Sequence, residues 1–150
     1  MRVFSMLWVL PLFLAGCGDK SAVSLSAHIT NGVVTVDNGT FGASASGSFK
    51  LRLALGPEAS ASVKVTPQAF QLLGQANVLV VDQLPVTTSS PSTITIDKGG
   101  NQDVEFAFTG AMVDHDAACA GPLTFVGALD DSSGNSSYPV ASGPVTPSCD

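Results

Sequence analysis

The residues of this chain best suited to chemistry are few. They are the histidines His28 and His115, the close acid pairs Asp114/Asp116 and Asp130/Asp131, and the cysteines Cys17, Cys119 and Cys149. Nucleophilic catalysis needs a nucleophile, a base and a group that orients the base. His28 alternates with apolar neighbours and reads as a solvent-facing strand residue, whereas His115 lies between two aspartates that favour its protonated form. No serine stands in a Gly-x-Ser-x-Gly elbow. A glycosidase requires two carboxyl groups at fixed separation across a cleft, flanked by aromatic platforms. Tyr138 is the single tyrosine and Trp8 the single tryptophan, so that reading has little to stand on. Calcium gathers carboxylate and carbonyl oxygens from flexible loops, which makes Asp114, Asp116, Asp130 and Asp131 the candidate calcium ligands. After Asp130 the spacing lacks the Gly and the closing Glu of an EF-hand. The plainer reading is that these acids are solvated turn residues.

The charge that surrounds these groups is uneven. The 150 residues carry net −6. From Gly99 onward there is no Lys or Arg, against Asp103, Glu105, Asp114, Asp116, Asp130, Asp131 and Asp150. Residues 17–98 are balanced, with Lys20, Lys50, Arg52, Lys64 and Lys98 facing Asp19, Asp37, Glu58, Asp82 and Asp97. An acidic field of this kind repels phosphates and anionic lipid heads, favours cations or basic partners, and excludes nucleic-acid binding.

At the N-terminus Arg2 precedes an apolar run from Val3 to Leu14, which is followed by Leu14-Ala15-Gly16-Cys17. A basic start, a short apolar core and a small-residue cut site make a secretory signal peptide. The run is too short to span a bilayer, which takes about 20 residues in a helix. Its last four residues resemble the lipobox of bacterial lipoproteins. That resemblance implies that residues 1–16 are cleaved, that Cys17 carries the lipid anchor, and that residues 17–22 form a lipidated tether. It further implies a bacterial cell envelope. Gly18 directly after the cysteine, with Asp19 one place later, leans to the outer membrane. With Cys17 occupied by lipid, Cys119 and Cys149 remain for a disulfide in an oxidising compartment. The competing reading is two free thiols or a metal pair, for which the absence of CxxC spacing is a poor signal.

Residues 23–150 then form one domain, and their pattern is that of strands. Val23 to Thr30 alternates apolar and polar, Asn31-Gly32 carries the strongest short hairpin signal, and Val33 to Val36 continues. A two-residue turn there would pair Ile29 with Val34 and Ala27 with Val36, keeping the apolar residues on one face. Further strands are expected over Phe49–Leu55, Ala61–Val65, Ala76–Asp82, Thr93–Asp97, Asp103–Thr109, Pro122–Leu129 and Tyr138–Val145. Thr66-Pro67 either starts a short helix ending at Gly74 or opens an irregular edge strand. Gly110 to Gly121 reads as a loop.

Eight or nine short strands with turn signals between them predict an all-β fold, an antiparallel β-sandwich of the immunoglobulin-like Greek-key kind. The expected function is a lipid-anchored, non-catalytic binding or structural module with an envelope protein as partner. A calcium-dependent adhesion or ligand-binding domain is the alternative, and a small hydrolase comes third.

Overall fold

A computed structural model describes residues 25–132, 134 and 137–150. The expected signal peptide, Cys17, the expected tether and Val23 lie outside them. The strands are β1 Leu25–Gly39, β2 Gly42–Leu55, β3 Val63–Leu73, β4 Leu79–Val81, β5 Val86–Thr87, β6 Ile94–Ile96, β7 Asn101–Val113, β8 Thr124–Asp131, β9 Tyr138–Ala141 and β10 Ser148–Cys149. One five-residue helix, α1 His115–Cys119, interrupts them. The first sheet has the order β10-β1-β2-β7-β5, and the second has β4-β3-β8-β9 with β6 also on β3. Without the terminal β10 this is the A-B-E-D over C-F-G arrangement of immunoglobulin-like sandwiches, with β4 added at one edge. The expected fold class is therefore present. Neighbours are antiparallel except β10, which runs parallel to β1.

The strands are fewer in their long members and longer than the sequence suggests, because three breaks in alternation are bulges rather than ends. Asn31-Gly32 is not a hairpin turn. β1 continues through it, pairing Thr30 with Lys50 and Val33 with Ser48, so one extra residue sits on β1. Asn31 takes the left-handed conformation that admits the extra residue. The inward set changes from Leu25, Ala27 and Ile29 to Val34 and Val36 as a result. β7 does the same between Phe108 and Ala111, where Gly110 has φ 69°. β3 does it between Pro67 and Phe70. Thr66 to Leu73 is thus an irregular strand and not a helix. Proline, which cannot donate to a ladder, is tolerated at a bulge. The hairpin lies later, where Gly39 pairs with Gly42 around Thr40-Phe41. Two further departures are local. Asp114 caps α1 within the expected loop by accepting from the Ala117 N–H at 2.9 Å. The expected buried strand at Ala76–Asp82 is a 3-10 turn followed by β4, in which only Val81 is buried.

Between the sheets lies an apolar core with no buried polar or charged residue among the described residues. Phe49 sits at its centre, with ring centroids 4.8 Å from Phe70, 5.3 Å from Phe106 and 4.8 Å from Phe125. Phe108 joins through Phe125 at 6.0 Å. The bulges of β1 and β7 flank β2 around Gly47, where the sheet bends and the strands close in. A Cβ on Gly47 would collide with the Val33 carbonyl oxygen and press on the Phe108 ring at 3.0 Å. Gly47→Ala is therefore expected to destabilise by about 1–3 kcal/mol through overpacking, seen as a fall of several degrees in Tm. Gly143→Ala, where a Cβ meets nothing within 4 Å, is the control and should stay within about 0.5 kcal/mol. Equal melting of the two variants would refute the bend at Gly47.

Candidate functional site

The edge of the sandwich between β3 and β5 carries a concave surface over the core residues Phe70 and Leu84. Its cause is the bulge in β3, which leaves Gln68 and Ala69 exposed, together with the brevity of β5. β5 pairs with β7 only through Val86–Phe108 and Thr87–Ala107, a small part of the thirteen-residue β7. The chain then crosses from β5 in one sheet to β6 in the other. Leu84 turns the chain at this edge, its N–H donating to the Phe70 carbonyl at 2.8 Å. A groove of about 620 Å³ runs here over Pro67, Phe70, Leu84 and Val86. A recess of about 200 Å³ shares its floor and reaches Pro91 and Phe106. No charged side chain lines either one. The rim is polar but neutral, with Thr66 and Thr93 hydroxyls 3.4 Å apart. A groove lined by apolar residues together with Gln68 and Gln83, an apolar recess beside it and an incompletely paired strand edge suit an extended polypeptide segment.

The candidate site residues fall elsewhere. Asp114 is the N-cap of α1, and Asp116 stands fully exposed with its Oδ1 3.5 Å from His115 Nδ1. Asp130 lies on β8, accepting from Gln68 Nε2 at 2.8 Å and from the Ser137 N–H at 2.9 Å. Asp131 follows it, opposite Val65. The two acid pairs occupy opposite ends of the sandwich. α1 lies beside Gly74 at the end of β3 that pairs with Thr124, whereas Asp131 ends β8 at the other side. The length of β8 puts roughly 20 Å between those ends at about 3.3 Å per residue. Among the described residues no three of His, Cys, Asp and Glu gather as a metal-binding group.

Among the described residues no hydrogen bond joins either histidine to a serine or threonine hydroxyl, and the one sulfur beside His115 is held in a disulfide. His28 faces outward across from Arg52. His115 Nε2 rests 3.7 Å from Cys119 Sγ. Arg52 in turn grips Asp103 with two parallel hydrogen bonds, both 2.9 Å, on the outer face of the first sheet. The hydrogen bond from Arg52 holds the Asp103 carboxyl below its ordinary range. Its small contribution to stability is present above the usual carboxylate pKa and is lost as pH falls through the lowered value. The pair is exposed and is a surface feature.

Cys119 and Cys149 are bonded, with Cα atoms 6.2 Å apart across a sequence separation of 30. The bridge ties α1 to a C-terminal segment that touches both sheets. Leu123 and Val145 exchange two backbone hydrogen bonds of 2.8 Å, and Ser142 bridges to Ile29. β10 then lies along β1, and the Asp150 N–H donates to the Val36 carbonyl.

No protein-family model and no curated protein matches the chain. Among solved structures it is similar to self-complemented MyfA, the major subunit of Myf fimbriae from Yersinia enterocolitica. The identity is 16% over 82% of this chain and 98% of that chain, with a TM-score of 0.41. The same subunit in complex with galactose gives 16% identity over 79% and 96%, with a TM-score of 0.37.

The groove was not legible as a site in the sequence. The signal available was the neutral run Val86-Thr87-Thr88-Ser89-Ser90-Pro91-Ser92, which marks a crossing between sheets with no strand of useful length. The bridge generates a prediction of its own. Replacing both Cys119 and Cys149 with Ser should cost about 3–4 kcal/mol in the loop-entropy account, lowering Tm. Hydrogen exchange of the Asp150 amide should rise in the same variant. An unchanged Tm and exchange rate would show that β10 stays seated without its tie.

Proposed function

We infer that this chain is a lipid-anchored, non-catalytic binding module of the bacterial envelope. The groove at the β3–β5 edge would receive an extended, uncharged segment of an envelope protein. The observation that carries this reading is the groove itself: an uncharged lining of apolar residues and glutamines with an apolar recess, next to a strand edge of β7 that β5 covers at only two residues. Strand addition at such an edge takes its affinity from backbone hydrogen bonds and its specificity from pockets for alternate side chains. The address comes from the lipobox at Leu14-Ala15-Gly16-Cys17, with Cys17 carrying the lipid and the outer membrane favoured. The polypeptide that follows Cys17 would join the sandwich at Leu25, whose carbonyl accepts from the Tyr138 hydroxyl at 3.3 Å. The bridge and the exclusion of polar groups from the core suit a module that must stay folded outside the cytoplasm.

Two measurements on the full chain in its own cells test this. Labelled palmitate should enter the protein and the protein should fractionate with membranes, and Cys17→Ser should abolish both. Thr88→Lys, which sets a charge at the groove's rim, should remove cross-linking to the partner while Tm moves by no more than a degree or two. Palmitate incorporation that survives Cys17→Ser would refute the anchor. Partner cross-linking unaffected by Thr88→Lys would refute the groove as the contact.

A further inference from the structure

The two ends of the sandwich differ in chemistry. Residues 1–24 join the described chain at Leu25, so the anchor proposed at Cys17 would be attached through that end. β1 runs its full fifteen residues away from it before the Thr40-Phe41 turn, roughly 45 Å at about 3.3 Å per residue. At the far end Phe41 is 98% exposed and Met112 67% exposed. A Cβ at Gly42 would meet Met112 Cε at 3.3 Å, which places the methionine beside the residue next to Phe41. Val78 and Leu79, both more than half exposed, sit at the same end through the pairing of Leu73 with Leu79. Single exposed apolar residues need no explanation, but several gathered at one end mark a contact surface.

The rim of this tip carries one sign of charge. Asp37 and Met112 flank Ser44 in one row across the sheet, and Asp114 and Asp116 follow directly after Val113. Lys50, Arg52, Lys64 and Lys98, the Lys and Arg residues of the described chain, all lie toward the other end. They pair opposite Thr30, His28 and Thr95 or sit in the turn before β7. An acidic rim repels anionic lipid heads and so disfavours insertion into a membrane.

We propose that the anchor-distal tip, Phe41 and Met112 rimmed by Asp37, Asp114 and Asp116, is a second contact surface that docks a protein partner presenting an apolar socket edged by Lys and Arg. Phe41 is the anchor that fills the socket, and the aspartates steer and orient the encounter. The proposal takes only its orientation from the lipid-anchored reading and does not use the groove.

The test places a photo-cross-linking benzoylphenylalanine at position 41, at 88 in the groove, or at 95 on the outer face of β6, in the full chain in its own cells. Expected at position 41 is an adduct to a protein whose cross-linked peptide carries Lys or Arg beside apolar residues. Its yield should fall about tenfold, equivalent to about 1.4 kcal/mol, in the Asp37→Lys/Asp116→Lys variant, and should fall likewise at high salt. Both aspartates are exposed, so a matching Tm would show that the variant is folded. Position 95 should give no adduct. An adduct at 41 that ignores charge reversal and salt, or one to lipid alone, overturns the proposal. An adduct at 88 and none at 41 overturns the tip and leaves the groove standing, whereas no adduct at either position overturns both.

Discussion

Everything else in the domain depends on Phe49 finding three aromatic partners from three other strands. Phe70 comes from β3, Phe106 from β7 and Phe125 from β8, all with ring centroids within 5.3 Å of Phe49. Phe49 and Phe106 are neighbours in one sheet, and Phe70 and Phe125 reach it from the other. The set is therefore the contact that joins the layers. Aromatic pairs at such distances add about 0.5–1.5 kcal/mol each beyond the area they bury. They do so only if each strand presents the correct face at that level. A slip of one residue would turn a ring to solvent.

That requirement accounts for the bulges. β1 and β7 must bury apolar residues along their whole length on both sides of β2, yet their sequences change parity midway. One extra residue in each, at Asn31-Gly32 and Thr109-Gly110, restores the inward face. β3 uses the same device so that Val65 and Phe70 both point inward. The glycines nearby have a packing reason. Gly32 lies where a Cβ would touch Phe125 and Val145 at 2.8 Å, and Gly127 lies against the Phe70 ring.

The same parity change explains what could be read from the sequence and what could not. The inward residues of β1, of β2 from Phe49 to Leu55 and of β7 from Val104 to Phe108 were legible, since alternation identifies them, whereas Ala43, Ala45 and Ala111 lie beyond the bulges and were not. The sandwich class followed from strand density, and the Cys119–Cys149 pair from the count of cysteines left after Cys17. The hairpin at Asn31-Gly32 was misread for a definite reason. A two-residue turn and a one-residue bulge both carry the buried set from Ile29 to Val34, and both favour a left-handed Asn before Gly. Local pattern cannot separate them. The partner strand decides, because β2 supplies a continuous row from Leu55 to Gly42 against which β1 must stay extended. Thr66-Pro67 left helix and irregular strand open for the same reason: a proline suited to a helix start is equally suited to a bulge where no N–H is needed. The groove at the β3–β5 edge was beyond reach, since it arises from two strands being incomplete at the same place in space.

The distribution of charge follows from the topology as well. A last third with seven acids and no Lys or Arg would, if it formed one layer, cover one side of the molecule with negative charge. The Greek key prevents this, because β7 places Asp103 and Glu105 beside Arg52 and Lys50 of β2, neutralising the outer face of the first sheet. Asp130 and Asp131 return to the same end as Lys64 and Lys98. Asp37 near the hairpin, and Asp114 and Asp116 around α1, are carried by the connections to the other end, away from the Lys and Arg residues of the described chain. Strand pairing thus converts an asymmetry along the sequence into an asymmetry between the ends of the sandwich. It sets the unbalanced acids beside Met112, which the register that buries Ala111 turns outward, and Phe41, which lies in the turn where no register holds it.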